Sequence, residues 1–257
     1  MTPDPPFDLT AMNPTGRFSD RAEDYRRYRP DYPAAAFDAI LAGLGEPSRL
    51  TAADIGAGTG ISARMLAARG VRALAVEPNA EMRAAASPHE RVEWRAGTAE
   101  STGLEPASVD LVLCAQAFHW FRAADALAEC HRILKPGGRL ALMWNTRDRG
   151  DALTRGYTEA IRAVKGEDPV EQMAFEPATV AAGGHFTRPL EERFPHAQVL
   201  DLAGLLGRAT SASYVPRDGE RFARLKSLLE ALWEREHDAQ GRVTMRYVTK
   251  VFRAQRR

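Results

Sequence analysis

The chain has little cysteine and no long apolar run, and each of these absences excludes a class of protein. Only two of its 257 residues are cysteine, Cys114 and Cys130, and neither belongs to a Cys/His cluster with metal-ligand spacing. This argues against a disulfide-rich secreted protein and against a zinc site, so we expect both thiols to be reduced and buried. No window approaches the roughly 18 consecutive apolar residues of a membrane span, so no span is predicted.

Charge of one sign is also lacking. The chain has 35 basic and 34 acidic residues and a formal net charge of +1, which gives no reason to expect DNA as its partner. A local basic patch remains compatible with this balance, so RNA is disfavoured and not excluded. Residues 1–12 contain prolines and acids where a secretory signal has a basic start and an apolar run. We therefore expect a cytoplasmic protein with neither a DNA nor a membrane partner.

A third absence concerns the glycine-rich segment Asp54–Gly60, which reads Asp-Ile-Gly-Ala-Gly-Thr-Gly. A short apolar run precedes it and a helical pattern follows, an order that presents bare backbone N–H groups to a ligand. A dinucleotide fingerprint has its third glycine where this chain has Ile61, and a P-loop ends in Gly-Lys-Ser/Thr, which is missing here. The pattern G-x-G-x-G therefore indicates a ligand-binding turn of another kind.

Short apolar strands alternate with helices from Ala52 onward. Such alternation indicates βαβ units and a parallel sheet with helices on both faces. The predicted strands are Ala52–Ile55, Ala73–Glu77, Val92–Ala96, Val109–Ala115 and Arg139–Trp144. The predicted intervening helices are Ile61–Arg69, Ala80–Ala86 and Ala123–Leu134, the last stopped by Lys135-Pro136-Gly137-Gly138.

The segments on either side of this core follow other patterns. Residues 1–16 are proline-rich and aperiodic, which is typical of a mobile tail. Asp20 is expected to cap a helix over residues 21–28 that Pro30 stops. The remaining expected elements are a helix over Ala34–Leu44, helix and loop over 146–190, a strand at Arg193–Leu200, a helix at Leu202–Arg208, an amphipathic helix over Glu220–Glu236 and a closing strand at Val243–Arg253.

Polar or glycine-containing segments follow the C-terminal ends of four predicted strands, where open α/β sheets bind ligands. After the glycine turn, Glu77 lies at the distance from it that suits hydrogen bonding to a ribose diol. The third strand leads to Thr98-Ala99-Glu100, a polar cluster suited to an adenine edge, and the fourth leads to Gln116–Phe121. The predicted ligand is therefore nucleotide-like.

These motifs, which cover about residues 50–145, resemble those of the class I S-adenosylmethionine (SAM)-dependent methyltransferases. The similar segments are Asp54–Gly60, the ribose acid Glu77, the adenine loop Thr98–Glu100, the fourth strand and loop Val109–Phe121, and His131–Leu140. The resemblance implies a Rossmann-like three-layer α/β/α sandwich. Its seven-stranded, mostly parallel sheet would have the order 3-2-1-4-5-7-6 and an antiparallel last strand.

The resemblance also implies SAM as cofactor, with no metal, and a protein that is an enzyme. Asp54 would hold the SAM ammonium, directly or through water. The residues expected at the cofactor are Tyr25, Arg29, Asp54, Gly56, Ala57, Gly58, Gly60, Glu77, Pro78, Thr98, Ala99, Glu100, Gln116, Ala117 and Trp120. The expected organisation is a tail (1–16) and one domain (17–257) with lid helices (17–45), a SAM-binding core (50–145) and a substrate-side insertion (146–215).

The segment from Phe18 to Pro33, with Ala-Phe-His-Trp-Phe and Trp-Asn-x-Arg further along, is similar to a narrower subgroup that includes small-molecule carboxyl methyltransferases of the trans-aconitate type. This implies a small-molecule acceptor, with a carboxylate or hydroxyl oxygen favoured, and a monomer or homodimer. Tyr25, Tyr28 or Arg29 would then fold over the methionine end of SAM. An RNA or protein methyltransferase and a non-catalytic SAM-binding module remain alternatives.

Several residues keep more than one interpretation. His119, the candidate catalytic residue, is a general base, a contact to substrate or cofactor, or a structural residue. Trp120 is a pocket wall or core, and Glu100 contacts adenine or caps the next helix. A carboxylate acceptor needs no base but does need a cation, and Arg147 at the end of the fifth core strand is the candidate.

Overall fold

The computed structural model describes residues 21–165, 175–212 and 214–257. Within them lie seven strands, namely β1 (Thr51–Ile55), β2 (Arg72–Val76), β3 (Val92–Arg95), β4 (Val109–Ala115), β5 (Leu134–Arg147), β6 (Leu190–Leu200) and β7 (Val243–Gln255). The helices described are α1 (Ala22–Tyr28), α2 (Ala34–Leu41), α3 (Ile61–Ala67), α4 (Ala80–Ala84), α5 (Ala123–Ile133), α6 (Ala152–Lys165), α7 (Ala178–Ala182), α8 (Leu202–Thr210) and α9 (Gly219–Glu236). The predicted tail, the predicted cap Asp20 and part of the insertion lie outside the described residues.

All seven strands form one sheet in the order β3-β2-β1-β4-β5-β7-β6. Strands β1 to β5 pair in parallel, and β7 runs antiparallel to both β5 and β6. The predicted strand order and the antiparallel last strand are confirmed. The order reverses between β1 and β4, which is the position where sheets of this type open a crevice at their carboxyl edge.

Helices cover both faces of the sheet, because its central strands are apolar on both sides. Ala53 and Ile55 of β1 point into a core that also holds Ile133 of α5. Ala52 points to the opposite core, where Phe37 of α2 and Leu66 of α3 are fully buried. This burial on both faces confirms the three-layer sandwich.

A third core joins α6, α8 and α9 to the ends of β6 and β7. Its buried members include Tyr157, Leu205, Leu229 and Tyr247. The third core places the chain after β5 beside the carboxyl edge of the sheet.

None of the described helices combines the length and the hydropathy that a membrane span requires.

Strand β5 begins earlier and ends later than the predicted Arg139–Trp144. Leu134 pairs with Val109, and the next registered residue is Arg139, so residues 135–138 form an irregularity inside the strand. The Pro-Gly-Gly sequence thus stops α5 as predicted without ending the pairing. At its other end β5 stays paired with β7 as far as Arg147, which brings that arginine to the rim of the crevice.

Candidate functional site

The glycine turn after β1 adopts left-handed backbone at three positions. The φ angles of Gly56, Gly58 and Gly60 are +69°, +59° and +77°, which L side chains rarely adopt. A Cβ on Gly56 would lie 2.7 Å from the Cβ of Ala117, in the loop after β4. The turn therefore depends on glycine for its conformation and for its packing.

Asp54 lies under this turn, fully buried at the end of β1. Its Oδ2 accepts a 2.6 Å hydrogen bond from the Ser62 hydroxyl at the start of α3. Its Oδ1 has no hydrogen-bond partner among the described residues. Burial raises the pKa of Asp54 to about 7, the nearby Glu77 adding to this and the bonds from Ser62 and the Ala63 backbone opposing it. One buried acceptor oxygen thus has no donor among the described residues and is left for a ligand.

Glu77, at the end of β2, faces the same turn. Its Oε2 accepts from the Gly58 N–H and its Oε1 from the Asn79 N–H, both at 2.9 Å. Burial raises the pKa of this carboxyl, which is 8% exposed. Each carboxylate oxygen can accept a second hydrogen bond, so Glu77 supports the turn and keeps capacity for two hydroxyl donors.

The predicted adenine loop forms a tight turn after β3. Thr98 and Ser101 exchange backbone hydrogen bonds, and Ala99 is buried. The carboxylate of Glu100 accepts from the backbone N–H of Arg122, the residue that precedes α5. This bond places the carboxylate of Glu100 at the N-terminal end of α5, the position expected of a residue that caps this helix.

The loop after β4 contains Gln116, a non-glycine residue with a φ of +56°. Its backbone N–H donates to the carbonyl of Met143, and its side-chain amide donates to the carbonyl of Asn145. Both carbonyls belong to β5, so this strand holds Gln116 in its left-handed conformation. Strained backbone of this kind costs about 1–3 kcal/mol and clusters at functional sites. Ala117 follows directly and packs on Gly56, which brings the loop onto the glycine turn.

His119 lies in the short 3₁₀ segment Phe118–Trp120 of that loop. The indole N–H of Trp144 donates to its Nδ1 at 3.2 Å, and the ring of Trp120 lies 4.9 Å away. An indole nitrogen can only donate, so Nδ1 must keep its lone pair. Neutral His119 then carries its proton on Nε2, which makes that atom a hydrogen-bond donor.

Helix α1 lies over the glycine turn from the other side. The Tyr25 ring comes within 3.7 Å of the position that a Cβ on Gly58 would occupy, and the Arg29 guanidinium lies 4.6 Å from the centre of that ring. The Arg21 guanidinium donates to three carbonyls at the end of α8. Tyr28 packs on Gly207 of α8, where a Cβ would lie 2.4 Å from its ring. Helices α1 and α8 therefore pack together, with α1 lying over the glycine turn.

Beyond Arg29, further arginine and tyrosine side chains come from β5 (Arg147), α6 (Tyr157), α8 (Arg208) and the chain after α8 (Tyr214). The Arg147 guanidinium lies 5.4 Å from the Tyr157 ring centre and donates weakly to Thr158 and Tyr214. Arg208, on α8, is 8% exposed. We call Arg29, Arg147, Arg208, Tyr157 and Tyr214 the arginine–tyrosine cluster. Tyr25 links this cluster to Gly58.

Sequence reasoning missed six residues of this region: Ser62, Trp144 as the partner of His119, Tyr157, Thr158, Arg208 and Tyr214. For Arg208 a signal existed, because the buried positions of α8 are 204, 205, 208 and 209, the spacing of one helical face. An arginine on an otherwise apolar stripe indicates a buried charge. Among the described residues no group of three potential ligands could hold a metal ion.

Comparison with known proteins gives the family. Residues 53–142 match the family described as a methyltransferase domain. An uncharacterised methyltransferase-like protein of Schizosaccharomyces pombe is 33% identical over 203 residues, which cover 77% of this chain and 78% of that protein. An uncharacterised methyltransferase of Mycobacterium tuberculosis is 42% identical over 149 residues, 57% of this chain and 58% of that protein. A solved structure described as a candidate type II methyltransferase from Anaeromyxobacter dehalogenans is 26% identical, has a TM-score of 0.64 and covers 89% of this chain and 98% of its own.

The chain belongs to the class I SAM-dependent methyltransferases, and its cofactor is SAM. The carboxyl edge of the sheet fits this cofactor chemically. Asp54 offers an ammonium a buried acceptor that no residue in the described part of the chain occupies, and Glu77 offers acceptor capacity for two ribose hydroxyls.

Proposed function

We propose that this protein methylates a carboxylate oxygen of a small organic acid, as a member of the trans-aconitate-type subgroup. Arg147 carries the proposal. Its guanidinium lies at the end of β5, among the hydroxyls of Thr158 and Tyr214. A guanidinium pairs well with a carboxylate, and the Tyr214 hydroxyl beside it can complete the binding of such an acid, whereas the Thr158 hydroxyl already donates to the Thr154 carbonyl.

The geometry also supports proposed roles around the methyl donor. Asp54 would hold the ammonium and Glu77 the ribose, while α1 and α2 form the lid and residues 146–215 the acceptor side. The other proposed donor contacts are Tyr25, Arg29, Gly56, Ala57, Gly58, Gly60, Pro78, Thr98, Ala99, Glu100, Gln116, Ala117 and Trp120. Bound SAM supplies a methyl group on a sulfonium, so the protein need not supply a nucleophile.

The proposed mechanism needs alignment and water exclusion from the protein, and no base. A carboxylate is already ionised at neutral pH, so no proton has to be removed from it. His119 fits this scheme, because the bond from Trp144 leaves its Nε2 as a donor and not as a base. It would orient an oxygen of the acceptor.

Substitution of Arg147 tests the acceptor class. Methyl transfer from labelled SAM to a panel of small acids, phenols, amines and tRNA is measured first, to find acids that are turned over. With those acids, Arg147→Ala is expected to raise KM at least about tenfold, because a charge-assisted bond to the carboxylate is lost. Arg147→Lys restores part of the affinity.

The matched control is Arg155→Ala, which removes an exposed arginine on α6. It should leave KM unchanged, and both variants should bind S-adenosylhomocysteine like the parent. Unchanged Michaelis constants for every acid in Arg147→Ala would contradict the proposal. So would turnover confined to phenols, amines or tRNA, and turnover of no acceptor at all would favour a SAM-binding module.

A second experiment tests the role of His119. At saturating donor, His119→Gln is expected to lower kcat for an acid by no more than about tenfold, since general-base catalysis is worth about 10²–10⁴. The pH profile of kcat should keep its shape, because the variant removes no essential titration. A loss of 10³-fold or more, with loss of a pH limb, would restore the general-base interpretation.

A further inference from the structure

Three buried hydrogen-bond donors in the arginine–tyrosine cluster have no acceptor. They are Nε of Arg29, Nε of Arg208 and the hydroxyl of Tyr157, all without a partner among the described residues. Arg208 is 8% exposed and Tyr157 1%. Buried donors are nearly always paired, so a group of three that lacks acceptors calls for an explanation.

The three side chains lie close together. Burial and the charge of Arg208 lower the pKa of Arg29, and both arginines interact electrostatically with Tyr157. Burial opposes the charged form of Arg208, but Tyr247, Tyr157 and Tyr214 raise its pKa, Tyr247 also through a hydrogen bond. Burial raises the pKa of Tyr157 to about 12, so its hydroxyl is a donor at neutral pH. The Arg29 Nη2 donates to the Ser211 carbonyl, and no acidic side chain of the described residues pairs with either guanidinium.

Arg208 is buried and Arg29 is half-buried. Two such guanidiniums without an acidic partner among the described residues are unfavourable, because desolvation and mutual repulsion act in the same direction. A ligand that neutralises them must be an anion, and one that satisfies three donors must offer only acceptors. A carboxylate meets both conditions and matches the planar guanidinium.

We propose that Arg29, Arg208 and Tyr157 form a carboxylate-binding subsite beside the methyl-transfer site. This proposal rests on the proposed function only if the carboxylate bound at the subsite belongs to the methyl acceptor. The same chemistry is offered by the methionine carboxylate of the donor, because Arg29 lies on the Tyr25 ring that contacts the glycine turn. The two sources are distinguished by experiment.

The test uses the full chain and the variants Arg208→Met, Arg29→Met and Tyr157→Phe. Arg224→Met, which removes an exposed arginine of α9, is the matched control. Calorimetry measures the affinity for S-adenosylhomocysteine and for 5′-methylthioadenosine, which lacks the carboxylate. Thermal unfolding with saturating S-adenosylhomocysteine is then followed in sodium succinate or citrate, against sodium chloride of equal ionic strength.

If the subsite holds the donor carboxylate, Arg208→Met weakens S-adenosylhomocysteine at least about tenfold and leaves methylthioadenosine unchanged. If it holds the acceptor carboxylate, donor affinity is unchanged, and the rise in melting temperature that succinate or citrate gives the parent is lost. Tyr157→Phe should show the same pattern more weakly. Without added anion, Arg208→Met should change the melting temperature little, because the loss of a buried charge without an acidic partner offsets the loss of the hydrogen bond with Tyr247.

The subsite is overturned if two results hold for all three variants. The affinity for S-adenosylhomocysteine stays within about twofold of that of the parent, and so does the rise in melting temperature that succinate or citrate causes. A melting temperature that falls in Arg208→Met without either binding effect would assign the arginine a structural role and overturn the subsite equally. The two proposals fail separately. Unchanged kinetics in Arg147→Ala remove the acid acceptor, while weakened donor binding in Arg208→Met still establishes the subsite.

Discussion

The Gly56→Ala variant is expected to lose most of its affinity for S-adenosylhomocysteine and to melt at least about 5 °C below the parent. A methyl group at this position would lie 2.7 Å from the Ala117 Cβ and 3.1 Å from the Phe121 ring. A left-handed non-glycine residue costs about 1–2 kcal/mol, and overpacking adds about 1–3 kcal/mol. Both costs fall on the turn that is proposed to hold the methyl donor. Differential scanning fluorimetry and calorimetry measure the two effects.

Gly103→Ala is the matched control for this substitution. Gly103 has nearly the same backbone angle as Gly56, with φ of +71° against +69°, but a Cβ there would meet no atom within 4 Å. We therefore expect the control to pay only the conformational cost and to bind S-adenosylhomocysteine normally. Equal losses of stability and affinity in both variants would show that packing against the β4 loop has no role in the turn.

The affinity for S-adenosylhomocysteine is expected to fall as the pH is lowered below about 7, by up to about tenfold per pH unit. Burial raises the pKa of Asp54 to about 7, so below that pH the carboxyl is largely protonated. Only its ionised form can pair with the ammonium, and binding then releases a proton. Glu77, whose pKa burial also raises, acts in the same direction.

The Asp54→Asn variant should bind more weakly at pH 8 and lose much of this pH dependence. Asp110→Asn, at the opposite edge of the sheet beside Lys135, should behave like the parent.

Linkage also predicts how the stability of the protein without bound donor depends on pH. Because the folded pKa of Asp54 lies above its unfolded value, the folded state binds more protons between about pH 4 and 7. Stability should therefore fall as the pH rises through that window, and less so in Asp54→Asn. Affinity that is independent of pH from 5 to 8 would contradict this account of Asp54.

The sheet could be predicted in detail because its information is local. Apolar runs, the glycine turn and the Pro-Gly-Gly stop each act within a few residues, and the family resemblance supplied the strand order. Boundaries were less accurate where pairing overrides local signals. Strand β5 extends to Arg147 because β7, about 100 residues later, offers it a partner.

The candidate site was predicted where a residue follows a strand and missed where it depends on distant contacts. Glu77 and Gln116 were predicted as candidate site residues from their positions at strand ends. The bond from Trp144 to His119, which decides the tautomer of the histidine, joins residues 25 apart and leaves no pattern in the sequence. The proximity of Arg29 to Arg208 was also missed, because Tyr28 and Arg29 contact α8 and the residue after it only in the folded chain.

The three carbonyl bonds of Arg21 also set the order in which the protein can assemble. Helix α1 has seven residues, too few to be stable alone, and its anchors lie at residues 210–215. A growing chain therefore makes its first described helix early but cannot fix it until α8 has been synthesised and packed on β6. The contact of α1 with the glycine turn therefore depends on carbonyls that lie 189 to 194 residues further along the chain.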